Sequence, residues 1–327
     1  MPGPGFRTAE GPTHGAAEPT TLDRVRPLVV SVPTPELAAD VLPVPDGVEV
    51  VMWPMTEPAP RERIDMVVVP YPSARKVMDR LEAVQPRLVQ CQAIGYEDIA
   101  GMVPGGTVLA NAASVHEAST AELAIGLALA LQRHLDRYAR DRRWEREFTA
   151  SLADRRVTVL GFGGVGKAIA ARLAPFEVEL RAVASRARVE DGVSVAAVSD
   201  LHEVLAETEI LFLALPGSAE TRHIIGDAEL AALPDGALVV NVGRGSLIDT
   251  DALVAHVRRG RIRAALDVTD PEPLPAAHPL WELPGVLIAP HVGGATSAMR
   301  PRIARLVRRQ IDRLVRGEEP VNIVLRT

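Results

Sequence analysis

Arg156-Val-Thr-Val-Leu160-Gly161-Phe-Gly163-Gly-Val-Gly166-Lys167 carries a β-branched run straight into glycines spaced G-x-G-x-x-G. The stretch predicts a strand over Arg156–Leu160, a tight turn, and a helix over Lys167–Leu173. Each glycine has a separate reason. Gly161 permits the turn, Gly163 lets the backbone approach a pyrophosphate, and Gly166 lets the helix pack close to the strand. The helix start adds unpaired N–H groups and partial positive charge. A glycine-rich turn without a ligand is the bland alternative, and the strand–loop–helix context argues against it. Gly161, Gly163, Gly164, Val165 and Gly166 are therefore read as dinucleotide contacts.

Outward from this loop, apolar runs at Leu180–Ala184, Ile210–Leu215, Leu238–Val242, Ala264–Val268 and Val286–Ala289 complete six strands. Six strands with helices between them match a dinucleotide fold. Upstream, Leu28–Val32, Val48–Met52, Met66–Val69, Leu88–Gln92 and Thr107–Ala110 read as strands, with helices at Glu36–Val41 and Ala74–Val84. One long helix, Ser119–Trp144, is expected to bridge the two sets, with Ser119 or Thr120 as its N-cap. Its first half is apolar all round and its second half is charged. A final Arg-rich amphipathic helix spans Ala298–Gly317. The expected fold class is α/β: two doubly wound parallel-sheet domains, Rossmann-like or flavodoxin-like, with a cleft between them.

With 327 residues the chain suits two domains, and 47% hydrophobic residues supply their cores. The 36 basic residues are outnumbered by 42 acidic ones, which argues against a nucleic-acid footprint, since that needs a clustered basic face. The single cysteine, Cys91, forms no intramolecular disulfide and reads as a buried strand residue. No apolar stretch approaches the ~20 residues of a membrane span. Residues 1–22, rich in Gly, Pro and Thr, read as a flexible tail. A soluble, cytoplasmic protein is expected, with no metal site.

The tip of the strand after the glycine loop separates NAD from NADP. An acidic residue there would accept the ribose 2′-OH. The tip is instead Ser185-Arg186-Ala-Arg188, whose hydroxyl and guanidinium groups suit a 2′-phosphate. NADP(H) is expected over NAD(H).

Three later apolar runs stop at titratable residues: Arg244, Glu272 and His291. Singly, each has an ordinary reading: a turn arginine, a Pro-flanked surface loop, a structural histidine. On neighbouring parallel strands all three would converge on one crevice. A guanidinium binds a carboxylate and polarises the adjacent carbonyl. A histidine transfers a proton to the forming alkoxide, and a carboxylate orients it. Such a site interconverts 2-oxo and 2-hydroxy acids.

With these residues in place the chain resembles the D-isomer-specific 2-hydroxyacid dehydrogenases from about Leu28 to its end. The resemblance rests on Gly161–Gly166, Leu215-Pro216 with Glu220-Thr221, Asn241-Val-Gly-Arg-Gly-Ser-Leu-Ile-Asp249, Ala265-Leu-Asp-Val-Thr-Asp-Pro-Glu-Pro-Leu274 and Pro290-His-Val-Gly-Gly-Ala-Thr296. It implies that Arg244 binds substrate, that His291 is the acid/base and that Glu272 is its partner. It implies cofactor contacts at Leu215, Pro216, Thr221, Val242 and Asp267, and a substrate loop whose Ile94 and Gly95 N–H groups bind the carboxylate. It also implies a discontinuous substrate domain, 23–118 plus 295–327, around a dinucleotide-binding domain, 119–294, in a homodimer. Trp144 is a candidate for reaching a partner subunit's site. Ser185-Arg186 and Asp267-Val-Thr-Asp-Pro-Glu-Pro resemble the glyoxylate/hydroxypyruvate reductase branch. Glu97-Asp98 departs from the commoner Asp-Asn, and Gly217-Ser218 from Leu-Thr. Two alternatives stand beside this one: a non-catalytic NAD(P)-binding regulator of the same fold, and an enzyme of this fold that oxidises another small anion such as phosphite.

Overall fold

The computed structural model describes residues 26–142 and 144–327, so the tail expected over 1–22 lies outside the described residues. The chain opens with β1 (Leu28–Val32), α1 (Pro35–Val41), β2 (Val48–Met52), β3 (Met66–Val68), β4 (Leu88–Gln90) and β5 (Val108–Ala110). The helix expected over Ala74–Val84 is a 3₁₀ helix, Ala74–Ala83. Then follow α2 (Glu117–Gln132), α3 (Leu135–Tyr138), β6 (Arg156–Leu160), α4 (Gly164–Leu173), β7 (Glu179–Ala184), β8 (Arg188–Glu190) and β9 (Val193–Ala197). The remainder is α5 (Leu201–Ala206), β10 (Ile210–Leu213), α6 (Asp227–Ala232), β11 (Ala237–Asn241), α7 (Thr250–Arg258), β12 (Ile262–Leu266), β13 (Val286–Ile288), α8 (Met299–Val315) and β14 (Ile323–Arg326).

These strands form two sheets. The first has the order β14-β5-β4-β3-β1-β2, parallel except for β14. The second has the order β13-β12-β11-β10-β6-β7-β9-β8, parallel except for β8. In the second sheet the chain runs outward from β6 through β7 to β9, then restarts on the other side at β10. The order therefore reverses between β6 and β10, where a crevice opens at the strand ends. The α/β class with two doubly wound sheets is the class the sequence predicts.

Burial on both faces explains the unbroken apolar strands. Every residue of β10 and β11 is buried. Side chains alternate faces: Val157, Val159, Ile210 and Phe212 enter one core, and Leu160, Leu211 and Leu213 enter the other. Each fully buried side chain of this kind stabilises by roughly 1.5–3 kcal/mol. The helices exchange sheets. α2 leaves the first sheet and packs Ala124, Ala128 and Leu131 on the second, while α8 leaves the second and packs Ile303, Val307 and Ile311 on the first.

Two readings are corrected here. The long helix does not run over Ser119–Trp144. It starts at Glu117 with His116 as N-cap, and Ser119 Oγ donates to the His116 carbonyl instead of capping. It stops at Gln132, where Arg263 of β12 donates to the Leu131 carbonyl at 3.2 Å and to the Gln132 side chain, and His134 turns left-handed at φ 53°. Trp144 sits in coil, 97% exposed. The second sheet also has eight strands, not six. β8 and β9 form a hairpin closed by Asp191 and Gly192, both at positive φ.

Candidate active site

Strands β11, β12 and β13 are adjacent and parallel, so their carboxyl ends share one rim. Arg244 lies three residues past β11, Asp267 one past β12, and His291 three past β13. The turn carrying Arg244 is held by buried Asn241, which accepts from the Gly243 N–H at 3.1 Å and donates to the Arg244 carbonyl at 2.8 Å. Gly245 packs against the loop leading to Glu272, where a Cβ would stand 1.9 Å from the Thr269 carbonyl oxygen. A side chain at 245 would push these two loops apart.

The guanidinium of Arg244 reaches across to the loop after β4. A Cβ on Gly95 would stand 1.6 Å from Arg244 Nη2. Only a residue without a side chain lets the cation lie against this backbone. The Ile94 and Gly95 N–H groups donate to nothing among the described residues. Next to them a carboxylate is already seated. Glu97 Oε2 accepts from the Tyr96 N–H at 2.9 Å and from Arg244 Nη2 at 3.3 Å.

His291 Nδ1 faces Glu272 Oε1 at 2.6 Å, which leaves Nε2 as the free nitrogen. The hydrogen bond to Glu272 raises the His291 pKa, with the Glu272 and Asp267 charges adding to it; burial and the Arg244 charge oppose it. Burial pushes the Glu272 carboxyl up, but its bond to His291, the His291 charge and Arg244 hold it below the usual value. That Arg244 acts on both partners places the three groups in one electrostatic neighbourhood. Asp267, 3% exposed, accepts from the Val292 N–H at 2.8 Å and the Gly293 N–H at 2.9 Å. Burial raises its pKa and these two bonds oppose the rise. Asp267 thus anchors the loop that presents His291.

The glycine loop stands at the switch point. Gly161 follows β6 at φ 98°, and a Cβ there would meet the Ala214 backbone at 2.8 Å. A Cβ on Gly166 would stand 1.9 Å from the Gly161 carbonyl oxygen, so the third glycine is required for helix–strand contact. Gly163 borders open space, the N-cap of α4, and the N–H groups of Gly164, Val165 and Gly166 in the first turn have no intrahelical partners. The residues present fit a dinucleotide pyrophosphate. Leu215 and Pro216 lie beyond β10, and Thr221 Oγ1 donates to the Pro216 carbonyl at 2.8 Å, closing that loop. Val242 is buried beneath the same rim. Ser185, Arg186 and Arg188 are exposed at the end of β7 and the start of β8. Arg188 is held by Glu190 at 2.7 Å, and Glu190 also pairs with Lys167 of α4.

Asn241, Glu97 and His116 carry structural weight that sequence reasoning missed. Asn241 lay in a quoted motif, and a polar residue ending a five-residue apolar strand was the available signal. Buried His116 Nδ1 lies 3.3 Å from the Gly294 carbonyl and its Nε2 faces the Gln92 carbonyl at 2.5 Å.

Residues 125–293 match the model of the D-isomer specific 2-hydroxyacid dehydrogenase NAD binding domain. A Corynebacterium melassecola protein described as an uncharacterized protein in the proB 3′ region is 38% identical over 71% of this chain and 80% of its own length. A glyoxylate reductase from Thermofilum pendens is 30% identical over 76% of this chain and 77% of its own. The crystal structure of a D-isomer specific 2-hydroxyacid dehydrogenase from Xanthobacter autotrophicus Py2, in complex with NADPH and MES, has a TM-score of 0.79 at 27% identity. That likeness covers 92% of this chain and 98% of the other.

Proposed function

The chain belongs to the D-isomer specific 2-hydroxyacid dehydrogenases, and from that membership we propose an NADP(H)-dependent reductase of small 2-oxo acids, glyoxylate or hydroxypyruvate first. The nicotinamide-dependent oxidation and reduction of hydroxy acids follows from the family; the cofactor preference and the substrate are our reading. The observation that carries the reading is Arg244 lying against Gly95 with a carboxylate, that of Glu97, seated between the guanidinium and a loop N–H. A pocket that accommodates one carboxylate in this way suits the carboxylate of a 2-oxo acid.

In this proposal the Arg244 guanidinium and the Ile94 and Gly95 N–H groups hold the carboxylate, and Arg244 polarises the neighbouring carbonyl. A nicotinamide bound beside them would supply the hydride for the carbonyl carbon. His291, protonated on Nε2, gives its proton to the oxygen as the alkoxide forms, and Glu272 stabilises the imidazolium beforehand. The products are the 2-hydroxy acid, of D configuration where its C2 is a stereocentre, and the oxidised cofactor. Gly161, Gly163–Gly166, Leu215, Pro216, Thr221 and Val242 line the cofactor, with Ser185 and Arg186 at the 2′-phosphate. Of the described residues, 26–118 with 295–327 form the substrate side, and those between 119 and 294 the cofactor side. Exposed Trp144 and Phe148 support a homodimer contact in the segment after α3.

An initial-rate panel of 2-oxo acids with NADPH and NADH in parallel tests this. Turnover of glyoxylate or hydroxypyruvate with NADPH ahead of NADH is expected. Tight NADPH binding without turnover of any 2-oxo acid overturns it.

A further inference from the structure

The first residue of α2, Glu117, is placed unlike a surface glutamate. Its Oε1 accepts from the Ser114 N–H at 2.6 Å. Its Oε2 is buried and has no hydrogen-bond partner. The side chain lies on the glycine loop: a Cβ on Gly164 would meet Glu117 Cγ at 2.9 Å and Oε1 at 3.0 Å. Gly164 thus has no side chain where the Glu117 stem and carboxylate already stand. A buried carboxylate oxygen without a donor is costly, of order 1–3 kcal/mol or more, so an incoming donor is the natural partner.

The position of Glu117 identifies that donor. On one side is the glycine loop, the pyrophosphate cradle. On the other, the adjacent His116 lies 3.3 Å from the carbonyl of Gly294, three residues past His291. Glu117 therefore stands between the phosphate cradle and the histidine end of the crevice. In a nicotinamide dinucleotide the group joining pyrophosphate to nicotinamide is a ribose. Phosphates are anionic acceptors and leave the Glu117 oxygen unsatisfied, whereas ribose hydroxyls are donors. We propose that Glu117 accepts hydrogen bonds from the ribose hydroxyls on the nicotinamide side of the cofactor. This rests on the reading of the chain as a nicotinamide-dinucleotide enzyme. It gives the site a carboxylate–ribose contact on the half opposite the one where this fold commonly has it, and where this chain has Ser185-Arg186 instead. Capping the Ser114 N–H accounts for Oε1 alone and leaves the second oxygen unexplained.

Equilibrium binding tests the assignment without turnover. Glu117→Gln keeps an oxygen for the Ser114 N–H and removes the charge; Glu117→Ala removes both. NADPH dissociation constants are measured by fluorescence titration, beside those of 2′,5′-ADP, which lacks the nicotinamide ribose. NADPH is expected to bind about tenfold more weakly to both variants, the scale of a hydrogen bond to a charged group, with 2′,5′-ADP within about twofold of wild type. Unchanged or tighter NADPH binding overturns the proposal. So does equal weakening of both ligands, which would locate the effect in the cradle or the fold. Wild-type protein that binds NADPH but reduces no 2-oxo acid sinks the substrate reading and leaves this contact standing; wild-type protein that binds no dinucleotide sinks both.

Discussion

At Ile94 and Gly95 the loop after β4 meets the crevice with backbone, and its Glu97 is tied to Arg244, whereas the three strand ends opposite meet it with charged side chains of their own. Gly95 brings no side chain, and its N–H and that of Ile94 donate to nothing among the described residues. Arg244, Glu272 and His291 each arrive on a loop held by a second residue: Asn241 for Arg244, Asp267 for His291, and His291 itself for Glu272. The contrast teaches a division of labour. Charges that must hold a protonation state are fixed on the larger sheet by hydrogen bonds to neighbouring side chains and backbone, and at Ile94 and Gly95 the smaller sheet supplies dipoles that need no such support.

If this division holds, substitutions on the charged side should strike the chemical step hardest. His291→Ala should lower kcat by about 10²–10⁴-fold, the range of general acid–base catalysis, with NADPH affinity within about twofold. A collapse of cofactor affinity in a binding titration would make His291 structural and break the contrast. Gly95→Ala comes next, because its methyl group would enter the space of Arg244 Nη2. Displacing the guanidinium by about 1 Å should cost up to about 100-fold in kcat/KM. Unaltered steady-state rates would show that the two sides do not meet during turnover. Arg186→Ala should weaken NADPH by about tenfold and leave NADH alone, consistent with one charge-assisted contact. Arg188→Ala should do less, since Glu190 already holds that guanidinium. Equal losses for both cofactors would remove the 2′-phosphate from the picture.

The smallest change is in pH dependence. In the proposed mechanism reduction needs protonated His291, and Glu272 raises its pKa above the ordinary value. Glu272→Gln removes the main cause, so the alkaline fall in reduction rate should move to lower pH. A profile that stays in place would separate Glu272 from the titration. The same shifts bear on stability. His291 stabilises the fold below its ordinary pKa and loses that contribution as pH rises through its raised value. Glu272, whose pKa is lowered, stabilises above its ordinary value and loses the contribution as pH falls through the lowered one. The pair is strongest between the two.

The glycine loop was legible because each glycine answers to a local steric demand. The strand ends were legible because parallel neighbours put their carboxyl ends on one rim, so three distant residues could be grouped without coordinates. The end of α2 was not legible. The sequence keeps its helical pattern past Gln132, but His134 turns left-handed there and the Leu131 carbonyl is taken by Arg263, on a strand more than a hundred residues away. The β8–β9 hairpin was hidden because Arg188 and Val189 are exposed and show no buried face. Asp267 holds the backbone of Val292 and Gly293 through its two oxygens, a commitment that no local pattern encodes. The partners of Glu97 and Glu117 were invisible for a similar reason: Arg244 and the Gly164 region lie far along the chain.

The exchange of α2 and α8 between sheets bears on synthesis. As the chain emerges from the ribosome, β1 to β5 appear early, but the helix covering one face of their sheet and the strand closing its edge, α8 and β14, are made last. The first sheet to be synthesised is thus the last to be completed. Until then Val30, Val68 and Ala110 lack the helix they pack against. The long-range closures that end this wait are the slow kind, and until α8 is made only α1, through Leu37 and Val41, covers that apolar face.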